Sequence, residues 1–243
     1  MSIFKSSSSN PLFRESMLDS SAGNSQAAMT SSGAITKSII MGVILVGVAS
    51  VAYLLPNALF MWVGAIGGLI TVIVSAFKKE WSPVLGPIYA IFEGLFVGVV
   101  TYYYASLYDG LVFNAISLTL AVFFLMLFLY KSRIIQVTET FKAVIISATL
   151  AIGVVYLISI VLSLFGTEIP LIHGSGWFGI GFSLVVTAVA AFNLILNFDF
   201  IEKAEQSRLP KYMEWYSAIG IWVTLIWLYI EMLRLLSKIY SRD

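Results

Sequence analysis

Seven long apolar runs, separated by short polar breaks, leave this chain few choices of fold. They lie at Ile39–Leu55, Ala58–Phe77, Val84–Ala105, Leu111–Tyr130, Ala143–Phe165, Trp177–Phe198 and Trp215–Leu236. A helix needs about 20 apolar residues to cross a hydrocarbon core of about 30 Å, and each run is close to that length. Backbone groups in lipid must be paired within their own segment, so the runs are expected as helices. The predicted fold class is therefore all-α: a polytopic membrane protein of seven transmembrane helices. With 59% hydrophobic and 11% charged residues, composition points the same way, since soluble domains carry roughly 25% charge.

The first 37 residues differ in kind. Ser6 to Ser9, Ser20, Ser21, Ser31 and Ser32 sit among Asn, Gly, Gln and Ala, a composition too poor in large apolar groups to offset its ordering entropy. Residues 1–37 read as a disordered cytoplasmic tail, 38–238 as the transmembrane domain and 239–243 as a short C-terminal tail. The first apolar run begins too late for a secretory signal.

Orientation follows from Lys and Arg. Eleven of the 14 lie in the tail and the second, fourth and sixth connections, and none lies in the first, third or fifth. The positive-inside rule then places the N-terminus in the cytoplasm. Seven crossings put the C-terminus outside, although Arg234, Lys238 and Arg242 are there. The last segment either crosses despite that basic end or enters and turns back; its length favours crossing. Gly86, Ala90, Gly94 and Gly98 on the third run, and Gly64 and Gly68 on the second, form small-residue faces that let helices approach closely.

Several function classes fall away. A net charge of +1 gives no footprint for nucleic acid. With no cysteine and one histidine, His173, thiolate metal sites and the usual general base are missing. Gly174-Ser-Gly176-Trp-Phe-Gly179 matches a dinucleotide fingerprint, but that motif needs a preceding strand and a following acid. His173 and Ser175 lack an orienting third group. No enzyme, catalytic residue, metal or cofactor is expected.

The candidate site residues are acids at membrane depth. Glu93 falls near the middle of the third run, Asp199 at the cytoplasmic end of the sixth and Glu231 in the outer third of the seventh. An ionisable group in the bilayer costs at least about 2.5–3.5 kcal/mol and is a functional hypothesis by default. Such acids respond to protons, and three of them at three depths could form an ion pathway. Each has a bland alternative. Glu231 has Arg234 at ion-pair spacing, Asp199 could be interfacial, and Glu93 could be neutral and packed.

The residues also carry a resemblance. Ala28-Met-Thr30 through Thr36, Tyr89-Ala-Ile-Phe-Glu93-Gly-Leu-Phe-Val-Gly98, Asn197-Phe-Asp199-Phe-Ile-Glu202, Lys211-Tyr-Met-Glu-Trp-Tyr216 and Leu228-Tyr-Ile-Glu231-Met-Leu-Arg234-Leu-Leu together resemble the Bax inhibitor / YccA-like family, in particular a bacterial branch. The resemblance implies six helices around a central seventh. It also implies a bacterial plasma (inner) membrane and a passive, pH-sensitive leak with calcium as the permeant ion. In relatives two aspartates near the cytoplasmic side latch the pore. Asp199 matches one, whereas Thr224 stands at the other, and Asn197 stands where this branch has a further acid. A latch here would need another partner for Asp199, such as Glu214 or a lysine of the sixth loop. The alternative is a non-transporting interaction protein that modulates a membrane-anchored protease or a stress response. Membrane lipid is the partner common to both readings.

Overall fold

The computed structural model describes residues 28–166, 174 and 176–242. It contains α1 (Ser31–Leu54), α2 (Ala58–Phe77), α3 (Ser82–Ala105), α4 (Leu111–Lys131), α5 (Glu139–Leu164), α6 (Trp177–Gln206) and α7 (Met213–Tyr240), with a 3-10 turn at Lys79–Trp81. All seven long helices are apolar enough to cross a membrane, and no strand occurs among the described residues. This is an integral membrane protein, with seven helices of membrane-spanning length among the described residues.

Local chemistry sets the helix boundaries. Pro56 cannot donate to the end of α1, and the Asn57 side chain accepts from Leu59 N at 2.8 Å to open α2, an N-cap. Pro83 lies in the first turn of α3, where its missing N–H costs nothing. Gly110 takes the left-handed conformation, φ 75°, that turns the chain into α4. Thr138 caps α5 by accepting from Phe141 N at 3.1 Å.

Residues 31–37 correct the tail boundary, because they are the first two turns of α1. Composition concealed this: Ser31, Ser32 and Gly33 are weak helix formers. The helix is nevertheless started by the Thr30 hydroxyl accepting from Gly33 N at 2.9 Å and by contacts with a distant hairpin. Met29 is fully buried against Ile201, Ala204, Met213 and Ile221, and its N–H donates to Leu209 O at 2.8 Å. The Ser-rich residues 1–27 lie outside the described residues.

The small-residue faces are packing surfaces. An added Cβ at Gly94 or Gly98 would fall 2.8 Å from Leu45 O and 2.3 Å from Ala49 O, both backbone atoms of α1. Gly64 would likewise meet Phe92 O of α3 at 2.6 Å. So α3 is clasped between α1 and α2 by backbone-to-backbone approach. Gly86 departs from this pattern and faces Trp215 and Met41.

Helix α7 is the most buried of the seven and packs against α1, α3, α4 and α6. Helix α2 packs chiefly on α3, and α5 on α6, so both sit at the periphery. The core runs through Tyr89, Leu194, Leu228 and Leu233. Its outer surface carries large exposed apolar side chains such as Phe113, Leu157 and Val185, as a surface facing acyl chains requires.

The crossing of α7 is also decided. Met213 begins beside Met29, at the end where α1 starts. At the opposite end Asn114 Nδ2, near the start of α4, donates to Tyr240 Oη at 2.6 Å. Lys238 reaches Gly179 O near the start of α6 at 3.0 Å. The helix therefore traverses the bundle and does not turn back.

Candidate functional site

Asp199 is buried near the tail-side end of α6, about two turns before the helix ends at Gln206. Its Oδ2 accepts from Lys203 Nζ at 2.7 Å and lies 3.8 Å from Lys142 Nζ of α5. Lys142 also holds Glu139 at 2.9 Å. The partner of Asp199 is thus Lys203, one of the lysines the sequence assigns to the sixth connection, which the structure places one helical turn on within α6. Next to this cluster Glu202 accepts from Tyr130 Oη at 2.5 Å and pairs with Arg133 at 2.6 Å.

Asn197, two residues earlier, points to a different neighbour. Its Nδ2 donates to Thr224 Oγ1 at 2.7 Å and to Gly220 O at 3.2 Å. Thr224 donates in turn to Gly220 O at 3.1 Å. The α6–α7 contact at this level is therefore a neutral amide–hydroxyl pair. Residues two apart on a helix do not share a face, which is why Asp199 is turned toward α5 while Asn197 meets α7.

Glu231 is 1% exposed. Its Oε1 accepts from Arg234 Nη1 at 2.9 Å and from Tyr156 Oη of α5 at 2.7 Å. Arg234 also donates to Tyr156 Oη and lies over that ring, 4.9 Å from its centre. The i,i+3 ion pair expected from spacing is present, but Oε2 of Glu231 is buried without a hydrogen-bond partner among the described residues. One turn further, Lys238 is buried and donates to Ser183 Oγ at 2.8 Å as well as to Gly179 O. Lys238 falls on the face of Glu231 and Arg234 by its spacing, a signal that sequence could have supplied. Tyr156 lies on another helix and carried none.

Glu93 occupies a third place. It lies in the middle of α3 and turns toward α2, where a Cβ added at Gly68 would come within 2.8 Å of its Oε1. Tyr89, buried one turn earlier, is the neighbouring hydroxyl. Oε2 is buried with no hydrogen-bond partner among the described residues. Glu93, Asp199 and Glu231 therefore stand in three different seams: α2–α3, α5–α6 and α5–α7. None of the three lines either of the two cavities between α1 and α4.

Glu214 is not beside Asp199. It is buried at the first turn of α7, and its Oε1 accepts from Thr30 N at 3.2 Å and Thr30 Oγ1 at 3.3 Å. The carboxylate lies against Gly33, at the N-terminus of α1, where helix amides favour an anion. His173 and Ser175 lie outside the described residues. No group of three or more His, Cys, Asp or Glu that could hold a metal occurs among the described residues.

The seven-helix bundle, the tail segment clamped at Met29 and Thr30 and the acid-bearing α3, α6 and α7 coincide with a family match. The sequence model described as "Bax inhibitor 1 like" matches residues 10–241, nearly the whole chain. The chain belongs to that family. No curated protein matches it. The sequence blocks that carry the resemblance all fall within the matched region. Within this Bax inhibitor 1 like chain, Asn197 and Thr224 form a polar α6–α7 contact toward the tail-side end, and neither can ionise.

Proposed function

We propose that this chain is a passive cation leak of its membrane, with calcium as the permeant ion, and that the conformation described is closed. The observation that carries the reading is Glu93: a carboxylate at the middle of a membrane helix with one buried oxygen that has no hydrogen-bond partner among the described residues. Such a group is costly in a membrane unless it exchanges a proton or a cation. Closure is supported by the separation of the three acids, by Asn197 tying α6 to α7 and by the lysines on Asp199. Because Asn197 and Thr224 do not titrate, the pH response is assigned to the membrane-buried acids, not to a shared proton at that crossing.

A second reading is favoured by one observation. The two cavities between α1 and α4 are lined mainly by apolar side chains, and none of the three acids reaches them. On that reading the chain transports nothing and acts on a partner such as a membrane-anchored protease. Calcium flux into proteoliposomes, followed against pH for the wild type, Glu93→Gln and Asp199→Asn, separates the two. A pH-dependent flux altered by either substitution supports the leak. Flux no greater than in empty liposomes, with folded and oriented protein, overturns it in favour of the second reading. Both readings place the N-terminus in the cytoplasm of a bacterial inner membrane, in accord with the Lys and Arg distribution.

A further inference from the structure

Helices α1 and α4 both pack on α7, and the opening between them is a lateral groove. Two cavities fill it. One, of about 660 Å³, includes Leu45, Ala49 and Tyr53; the other, of about 880 Å³, includes Ser31, Ile35 and Ile39. They share Leu120, Trp222 and Leu225 and so join at a waist. Measured along α1, from Ser31 to Leu54, the groove is about 34 Å long at 1.5 Å per residue. That matches a hydrocarbon core of about 30 Å.

The walls are apolar, but the tail-side mouth is not. It carries Lys131, Glu202, Glu205 and Gln206. Glu202 is taken by Arg133 and Tyr130. Lys131 forms no ion pair with a described residue. Glu205 is hydrogen-bonded by the N–H and hydroxyl of Ser31 and makes no ion pair with a described residue, although the charge of Lys131 reaches it. The mouth therefore offers an ammonium and a carboxylate close enough to feel each other's charge but not locked in a close ion pair among the described residues, above an apolar slot open to the lipid.

We propose that this groove is a binding site for a zwitterionic aminophospholipid. Its phosphate sits at Lys131 and its ammonium at Glu205, with one acyl chain descending past Ile39 to the Trp222 waist. One leaflet is about 15 Å deep, so the chain fills the tail-side cavity and its end enters the other. A singly anionic headgroup would leave Glu205 facing a like charge. A choline headgroup, with no N–H, could not hydrogen-bond to it. The inference does not depend on ion conduction.

The test is lipid retention by the intact purified chain, measured by native mass spectrometry after exposure to phosphatidylethanolamine, phosphatidylglycerol and phosphatidylcholine of equal chain length. Phosphatidylethanolamine should be retained preferentially. Lys131→Ala should cut that retention about tenfold, the loss of one charge-assisted contact. Leu120→Trp should fill the waist and cut it similarly, whereas Leu118→Trp, outside the groove, should not. Phosphatidylethanolamine with a brominated chain should quench wild-type tryptophan fluorescence more than it quenches Trp222→Phe, a readout that stands even if a groove variant fails to fold. Equal retention of the three lipids, preference for phosphatidylglycerol, or equal quenching with and without Trp222 would overturn the proposal.

Discussion

Replacing Gly33 with alanine should destabilise the bundle, although alanine is the better helix former. An added Cβ would lie 2.0 Å from Glu214 Oε1 and 2.1 Å from its Cδ, so the carboxylate must leave its place. It would then give up the hydrogen bonds from Thr30 N and Thr30 Oγ1. Hydrogen bonds to a charged group contribute about 1.5–3 kcal/mol each, and these two are long, so about 3 kcal/mol in total is at stake. Alanine returns about 1 kcal/mol of helix propensity, leaving a net loss of about 2 kcal/mol. Denaturant unfolding in detergent measures it, and amide exchange over residues 28–40 should rise with it. The decisive comparison is the same substitution in a Glu214→Ala background. There the clash is gone, and Gly33→Ala should stabilise by up to about 1 kcal/mol. A Gly33→Ala protein as stable as wild type, or the same sign in both backgrounds, would refute the argument that Glu214 dictates glycine at position 33.

Other outcomes follow from the remaining contacts. Arg234→Met leaves Glu231 buried without its cation and should cost about 3–5 kcal/mol in unfolding free energy, whereas Arg234→Met with Glu231→Leu should recover most of it. Gly98→Ala places a Cβ 2.3 Å from the backbone oxygen of Ala49. Since that atom cannot rotate away, the thermal midpoint should fall, and a disulfide engineered across α1 and α3 should form less readily. Asn197 and Thr224 carry no titratable group, so their own hydrogen bond should hold unchanged from about pH 5 to about pH 9; Asn197→Asp combined with Thr224→Asp should add a further pH-dependent step to unfolding, as two interacting carboxylates titrate as a coupled pair. If the wild-type contact, followed by a spectroscopic probe placed across α6 and α7, opens within that range, another group controls it.

Much of the architecture is legible in the sequence alone. Run length and backbone hydrogen bonding specify seven helices, because lipid supplies no partner for an unpaired amide. The glycine faces of α2 and α3 were readable as close-approach surfaces, and Arg234 three residues after Glu231 was readable as an ion pair, since both rest on spacing within one helix. What spacing could not supply was the facing partner. Asp199 and Asn197 are two residues apart, and only the packing of α6 between α5 and α7 turned the acid to Lys142 and Lys203 and the amide to Thr224. Glu93, equally prominent in sequence, proved to face α2, away from the other two acids. The start of α1 was hidden for the same reason: Ser31, Ser32 and Gly33 become helical because Glu205 and Glu214, more than 170 positions away, receive their end of the helix. Periodicity within a helix is a local property of the chain, but which face meets which neighbour is settled only when all seven helices pack.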